Sequence, residues 1–256
     1  MLNENIKEIW EGDAAVYDEG VKRELSDEQR TKEAWADLVL TYAPKEGKLD
    51  ILDCGTGPGF FPVALGERGH HVTGIDLTEN MIKEAVENVK AAGVEADLHV
   101  TDCQKTTFPD ESFDMIISRN ITWTLSDPPA AYREWKRLLR KGGRLLIFDG
   151  NYYLHLFDEE RMARFKELDE KSKKERGRGI FSHGKDGDTF GEISKDLFMS
   201  SKKRPGWDLN YLLDLGFSEV FAVPDVREYL PAKKEETGLD REVGDFMPLF
   251  LAGARK

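Results

Sequence analysis

Apolar positions recur at two different spacings along the chain. In residues 2–43 they fall every three or four positions, as at Ile6, Ile9 and Trp10, a spacing typical of helices. From residue 48 onward, short apolar runs bounded by glycine or acidic residues predict strands. These predicted strands are residues 48–54, 71–76, 96–101, 113–118 and 144–149.

Helical spacing returns between the strands. The predicted helices are residues 60–68, 79–92 and 129–140, and the second lies between Thr78, a candidate N-cap, and Gly93, a candidate stop. Strands that alternate with helices over short connections form parallel sheets covered on both faces. The pattern therefore predicts a three-layer α/β fold.

The alternation is interrupted after the fifth predicted strand. Residues 151–205 are charged, partly helical in spacing at 159–174, and then rich in glycine. A helix at 207–215 and two late strands at 220–223 and 246–252 are predicted to follow.

This organisation predicts three parts. We expect residues 1–45 to form an N-terminal helical cap and residues 46–256 to form the main domain. Residues 151–205 are expected to be an insertion in that domain that acts as a substrate lid, because long connections at this edge of a sheet often carry function. The length of 256 residues fits one α/β domain with such additions.

The chain is acidic, with a formal net charge of -12. Such a charge repels phosphate backbones, so we expect no nucleic-acid partner. No apolar run approaches the ~20 residues needed to span a bilayer, and the first ten residues lack the apolar stretch of a signal peptide. The two cysteines, Cys54 and Cys103, are too few for a disulfide framework. These features predict a cytoplasmic protein without a membrane partner.

A glycine-rich turn, D-C-G-T-G-P-G, occupies residues 53–59 after the first predicted strand. Its glycines allow a tight turn and a close approach of a ligand to the backbone. The spacing G-x-G-x-G differs from the G-x-G-x-x-G of dinucleotide sites, and the lysine of phosphate-binding loops is missing. Asp53, at the end of the strand, can bind a cationic amino group directly or through water.

Two further carboxylates, Asp76 and Asp102, follow the second and third predicted strands. Because the carboxyl ends of parallel strands share one edge of a sheet, we expect both to lie in one crevice with Asp53. Asp76 can accept both hydroxyls of a ribose, and Asp102 can accept an adenine amino group. Each could instead cap a helix or form a turn, but together with the glycines they favour a nucleoside ligand.

Residues 48–150 resemble the core of the class I methyltransferases that use S-adenosylmethionine (SAM). The resemblance rests on four sequences: I-L-D-C-G-T-G-P-G, V-T-G-I-D-L-T-E-N-M, D-C-Q-K-T-T-F-P-D-E-S-F-D-M-I-I-S and R-E-W-K-R-L-L-R-K-G-G-R-L-L-I-F-D. It implies a Rossmann-like, seven-stranded, mostly parallel sheet whose last strand is antiparallel. It also implies the residues that contact the cofactor: Gly55 and Gly57 in the turn, Asp76 with Leu77 at the ribose, and Asp102 with Cys103 at the adenine.

The N-terminal sequence W-E-G-D-A-A-V-Y-D is similar to the start of the ubiquinone/menaquinone C-methylating group. This similarity implies that Tyr17 lies over the cofactor; the alternative is that Tyr17 only packs the N-terminal helices. Arg119 and Asn120 follow the fourth strand, where the resemblance implies the methionine end of the cofactor. Trp123, in the same segment, is expected to wall the acceptor pocket, unless the segment is merely a packed loop.

No catalytic base is certain from the sequence. Tyr17, Trp123 and His155 are the candidates for catalytic residues, and a lone histidine is more often structural. No metal is expected, because His183 and the neighbouring acids match no familiar ligand spacing.

The sequence thus predicts a SAM-dependent methyltransferase that acts on a small molecule. Three alternatives stay open at this point. One is a non-catalytic SAM-binding regulatory protein, and a second is an NAD-dependent oxidoreductase, which the glycine spacing disfavours. The third is a protein or RNA methyltransferase, which the acidic composition disfavours. The identity of the acceptor, the atom methylated and the oligomeric state, including a possible homodimer, are not determined by the sequence.

Overall fold

A seven-stranded sheet forms the centre of the protein in a computed structural model that describes residues 2–28, 30–182, 190–232 and 236–256. The strands are β1 (Asp50–Cys54), β2 (His71–Asp76), β3 (Ala96–Val100), β4 (Phe113–Arg119), β5 (Leu139–Asp149), β6 (Glu219–Val223) and β7 (Phe250–Arg255). Their order in the sheet is β3-β2-β1-β4-β5-β7-β6. Strand β7 pairs antiparallel with both β5 and β6, and the other pairs are parallel. The predicted sheet with an antiparallel last strand is confirmed.

Eight α-helices surround the sheet in the described part of the chain. They are α1 (Leu2–Ser26), α2 (Thr31–Leu40), α3 (Phe60–Gly66), α4 (Glu79–Ala92), α5 (Pro128–Leu138), α6 (Glu159–Arg176), α7 (Gly206–Asp214) and α8 (Gly238–Phe246). None of the described helices is long and apolar enough to cross a membrane.

Each face of the sheet has its own apolar core, and consecutive residues of the central strands supply the two cores alternately. Ile116 of β4 packs with Trp135 of α5, whereas its neighbour Ile117 packs with Trp35 of α2. This alternation follows from the period of two in strands, and burial on both faces explains why the central strands are continuously apolar. The carboxyl ends of β1 to β5 are thereby fixed along one edge.

Two strands begin four or five residues away from their predicted starts. Strand β5 begins at Leu139, five residues before the predicted start, because Leu139 pairs with Phe113 ahead of an irregular stretch in which Gly142 has a φ of 80°. Strand β7 begins at Phe250 rather than at residue 246, since α8 occupies residues 238–246. A capping box between Thr237 and Asp240 starts α8, and this signal is present in the sequence.

Thr78 precedes α4 as predicted, but its side chain does not cap the helix. The hydroxyl of Thr78 donates instead to the Asp76 carboxylate, at 2.8 Å. The N-terminus of α4 is capped by Glu11 of α1, whose carboxylate accepts from the backbone N–H groups of Glu79 (2.9 Å) and Asn80 (3.0 Å). A negative side chain at this position also interacts favourably with the helix dipole.

Candidate cofactor site

A cavity with an empty volume of about 960 Å³ lies at the carboxyl ends of β1 to β4 and beneath α1. All ten residues that the sequence suggested for cofactor contact line this cavity: Tyr17, Asp53, Gly55, Gly57, Asp76, Leu77, Asp102, Cys103, Arg119 and Asn120. The structure thus brings together residues that lie more than 100 positions apart in the sequence.

The glycine-rich turn forms one wall of the cavity. Gly55, Gly57 and Gly59 all have positive φ angles, of 70°, 52° and 86°. The backbone N–H groups of Gly55 and Thr56 both donate to the carbonyl of Ile75, which ties the turn to the end of β2. At Gly55 an added Cβ would lie 2.4 Å from a methyl carbon of Ile121, so the turn needs glycine there for close packing as well as for its φ.

Replacing Gly55 with alanine is therefore expected to weaken SAM binding at least about tenfold, because overpacking of this kind costs about 1–3 kcal/mol and displaces Ile121 from the cavity wall. Gly69→Ala is the matched control. Gly69 has a similar φ of 84° but nothing within 4 Å of its added Cβ. Calorimetric titration of both variants tests the prediction, and equal SAM affinities in the two variants would contradict it.

Asp53 is a buried carboxyl group at the end of β1, only 2% exposed. The hydroxyl of Thr56 donates to it at 2.7 Å. Burial raises the pKa of Asp53 from its ordinary value of 3.8 to about 7, against the opposing effects of that hydrogen bond and of Arg119. Binding of a cationic ligand would therefore favour the ionised form of Asp53, as expected of a contact to an amino group.

Asp76 lies at the end of β2 and is anchored by the chain around it. Its carboxylate accepts from the backbone N–H of Gly57 (3.0 Å), the N–H of Thr78 (3.0 Å) and the Thr78 hydroxyl. Burial raises the pKa of Asp76 above its ordinary value, although these hydrogen bonds lower it. The carboxylate is thus fixed in orientation and still forms part of the cavity wall, as a ribose contact requires.

Asp102, which follows β3, belongs to a polar group at the far end of the cavity. Its carboxylate accepts from the backbone N–H of Gln104 (2.9 Å) and from the side-chain amide of Asn3 (3.3 Å). The Ser126 hydroxyl lies within hydrogen-bonding distance of both amide oxygens. Asn3 and Gln104 also line the cavity, and the sequence analysis missed both.

Helix α1 covers the cavity as a roof, supplying Asn3, Ile6, Trp10, Tyr17 and Val21 to the lining. It is held at several points besides the Glu11 cap. Asp18, buried on α1, accepts from the Asn88 amide at 2.8 Å, and the Trp10 indole N–H lies 3.4 Å from the Thr124 hydroxyl. Helix α1 thereby covers part of the cavity.

Tyr17 and Arg119 are two further side chains that line the cavity together with Asp53. Burial raises the pKa of Tyr17 to about 12, with a further contribution from Asp13, so its phenol stays protonated at neutral pH. The Arg119 guanidinium lies over the Phe60 ring, 4.2 Å from its centroid, and donates to Glu24 of α1 at 3.0 Å. Both side chains line the cavity as predicted.

Asn120, the residue after β4, has a left-handed conformation, with a φ of 59°. Its side-chain oxygen accepts from the Tyr152 hydroxyl at 2.9 Å, and its carbonyl accepts from the Trp123 indole N–H at 2.9 Å. A non-glycine residue in this conformation is costly and persists where its surroundings hold it in place. The segment after β4 is thus tied to the start of the insertion.

Two of the three proposed catalytic residues do not line the cavity. Trp123 packs behind it, against Tyr152 and Phe190. His155 is buried and stacks on Phe165, 3.8 Å between ring centroids. Tyr17 alone of the three faces the cavity, so the roles proposed for Trp123 and His155 have no direct geometric support.

The described residues contain no group of three side chains that could hold a metal ion. His183, Asp186 and Asp188, the acids and histidine considered from the sequence, lie outside the described residues. Among the cavity-lining side chains there is also no lysine and no histidine, and Arg119 is the one cation.

The chemistry of the cavity fits SAM. Three carboxylates, Asp53, Asp76 and Asp102, line it and can accept from an amino group, ribose hydroxyls and an adenine amino group, and neither lysine nor histidine is among the residues that line it. Apolar side chains, including Ile75, Leu77 and Met81, also line the cavity and suit the uncharged adenosine.

Comparison with known proteins agrees with this fit. Residues 52–147 match the family model described as "Methyltransferase domain". The phosphoethanolamine N-methyltransferase of Triticum aestivum is 38% identical over 121 residues, which are 47% of this chain and 23% of that protein. The malonyl-[acyl-carrier protein] O-methyltransferase of Erwinia pyrifoliae is 34% identical over 110 residues, 43% of this chain and 40% of that protein.

A solved structure extends the comparison to the whole fold. A SAM-dependent methyltransferase from Aquifex aeolicus superposes with a TM-score of 0.56 at 21% identity and covers 93% of this chain and 97% of its own. The chain spans less than half the length of both curated relatives, so these comparisons identify a domain and its fold. Residues 52–147 match the methyltransferase-domain family model, and the chain has a Rossmann-like fold similar to that of a SAM-dependent methyltransferase.

Proposed function

We propose that this protein transfers the methyl group of SAM to a small-molecule acceptor. The observation that carries the proposal is the cavity that the glycine-rich turn and the carboxylates Asp53, Asp76 and Asp102 line together. Each of these groups matches a different part of SAM. The family match over residues 52–147 supports the same reaction.

Bound SAM supplies an activated methyl group on its sulfonium, and the acceptor attacks that methyl in line with the bond to sulfur. The protein's contribution is alignment and exclusion of water. Asp53 and Asp76 are proposed to hold the amino group and the ribose of the donor, while helix α1 covers the cavity above it. Lysine and histidine are missing from the described lining, and burial raises the pKa of Cys103. The three carboxylates of the lining are assigned to SAM itself, so no general base is assigned to the acceptor.

The acceptor space is proposed to adjoin Asn120. There the rings of Trp10, Trp123, Tyr152 and Phe190 pack against one another in edge-on and tilted contacts. These rings come from α1, from the segment after β4 and from the insertion, so a movement of the roof or of the insertion would open a space between them. Such a space is small and largely apolar, which favours a small molecule over a polymer.

The choice of acceptors for a first test follows from the relatives. The matched curated proteins are named for methylation of phosphoethanolamine and of a malonyl thioester on a carrier protein, so an amine and a carboxylate are both represented. We propose phosphoethanolamine as the first acceptor to test because its enzymes show the higher identity.

The experiment supplies methyl-labelled SAM with single acceptors: phosphoethanolamine, other small amines, small carboxylates and quinols. We expect label in a small-molecule product with the wild type, and a rate at least about 100-fold lower with Asp76→Ala, since two charge-assisted hydrogen bonds to the ribose are lost. Gly69→Ala should retain the wild-type rate. Label found only in protein or nucleic acid would contradict a small-molecule acceptor.

A further inference from the structure

A buried ion pair network connects the insertion to the segment that follows β4. At its centre is Arg204, near the end of the insertion, whose side chain is only 1% exposed. Asp149 at the end of β5 and Asp208 on α7 are both fully buried beside it. The guanidinium donates to Asp149 at 3.0 Å and to Asp208 at 2.8 Å. A charge group of this kind has to be fully hydrogen bonded to be tolerated in a core.

The network extends directly to the segment of residues 120–125. Arg204 donates to the Thr122 hydroxyl at 2.7 Å, and that hydroxyl also bonds the Asp149 carboxylate. The same carboxylate oxygen accepts from the backbone N–H of Trp123 at 3.0 Å. Asp149 therefore holds the segment, while Arg204 forms an ion pair with Asp149 in the core.

This segment forms the cavity wall beside the glycine-rich turn, where Ile121 packs close to Gly55. Asn120, Ile121, Thr124 and Leu125 line the cavity, whereas Thr122 and Trp123, which lie between these two pairs, bond to the network behind. The backbone of Arg204 is itself fixed, because its N–H and carbonyl both bond the side-chain amide of Asn151. The insertion is thereby tied to the end of β5 at the point where it begins.

We infer that Arg204 is a positioning residue, which sets the segment 120–125 in the place that SAM binding requires. The inference rests on the proposed function in that it takes the cavity to be the SAM site. On this inference the cofactor site is complete only when the insertion is folded. The insertion then does more than cover the acceptor. A small displacement of this wall is enough to matter, because a misplacement of about 1 Å can reduce a rate by about 100-fold.

Two variants at the network and one matched control separate positioning from general stability. Arg204→Lys keeps the charge but cannot reach Asp149, Thr122 and Asp208 together. Thr122→Val removes only the hydroxyl on the segment. Tyr132→Phe is the control: its hydroxyl also lies in the network, donating to Asp208 at 2.5 Å, but Tyr132 belongs to α5. All three variants are expected to lower the melting temperature.

The measurements are SAM affinity by calorimetry and hydrogen exchange of peptides covering residues 120–125, referenced to peptides from β1. We expect Arg204→Lys and Thr122→Val to weaken SAM binding at least about tenfold and to speed exchange in the segment beyond that in β1. Tyr132→Phe should stay within threefold of wild type in both. If Arg204→Lys does not fold, Thr122→Val carries the test.

The inference is overturned if the folded network variants leave both measurements unchanged, or if Tyr132→Phe alters them as much. Its failure is distinguishable from failure of the proposed function. Absence of SAM binding in the wild type would contradict the proposed function. The hydrogen exchange of residues 120–125, compared between the wild type and the Arg204→Lys variant, would still report whether Arg204 positions this segment.

Discussion

Replacing Asp76 with alanine is expected to weaken SAM binding at least about 100-fold. The carboxylate is proposed to accept both ribose hydroxyls, and a hydrogen bond to a charged group contributes about 1.5–3 kcal/mol. Loss of two such bonds is about 3 kcal/mol or more, and each 1.4 kcal/mol is about a factor of ten in affinity. The variant also leaves the N–H groups of Gly57 and Thr78 without their acceptor, which loosens the glycine-rich turn.

The measurement is a calorimetric titration with SAM, accompanied by a melting curve to show that the variant is folded. Asp97→Ala is the matched control, because Asp97 is an exposed carboxylate on β3 whose partner is His71. This control should bind SAM as the wild type does. An Asp76→Ala protein that is folded and binds SAM with wild-type affinity would show that the ribose contact lies elsewhere.

SAM binding is also expected to weaken about 20-fold when the pH falls from 7.5 to 5.5, through protonation of Asp53. The pKa of Asp53 is about 7 in the unliganded protein, so the carboxyl is mostly ionised at pH 7.5 and mostly protonated at pH 5.5. The amino group of SAM pairs with the ionised form. Binding should therefore release a proton near pH 7, which calorimetry in buffers of different ionisation enthalpy detects.

The folding stability of the unliganded protein depends on pH with the opposite sign to the affinity for SAM. Between about pH 4 and pH 7 the unfolded chain has lost the Asp53 proton while the folded, unliganded chain keeps it. This group therefore makes the unliganded fold less stable as the pH rises through that window. Since SAM binds the ionised form, the rise in melting temperature on adding SAM should be larger at pH 7.5 than at pH 6.

Asp53→Asn provides the control for this pH dependence. It should bind SAM more weakly at pH 7.5 and should show a shallower change with pH, the remainder coming from Asp76, whose pKa is also raised. If the variant and the wild type had the same slope of affinity against pH, Asp53 would not be the group that meets the amino group.

The sequence was sufficient to predict the sheet and the cofactor-facing residues because both depend on local pattern. A short apolar run ending in an acidic residue or in glycine marks a strand end, and parallel strand ends lie at one edge. Asp53, Asp76 and Asp102 could therefore be placed together before their distances were known. Their presence in one cavity follows from the fold, whereas their contacts with SAM stay predictions.

The parts that were missed depend on contacts between distant segments. Glu11 caps α4 across 68 residues of sequence, and nothing near Glu11 indicates this role. Arg204 belongs to a run, K-K-R-P, that reads as a charged surface, and its burial depends on Asp149 and Asp208 meeting it in the core. Trp123 does not line the cavity, and its indole packs against Tyr152 and Phe190, so its predicted place at the acceptor stays a prediction.

Titration of the wild-type protein with SAM, S-adenosylhomocysteine and NAD in a calorimeter at pH 7.5 tests the central claim most directly. We expect one site per chain with micromolar affinity for SAM, comparable binding of S-adenosylhomocysteine, and no binding of NAD, because the G-x-G-x-G turn lacks the glycine spacing of dinucleotide sites. Absence of SAM binding, or binding of NAD in its place, would contradict the assignment of this cavity as a SAM site.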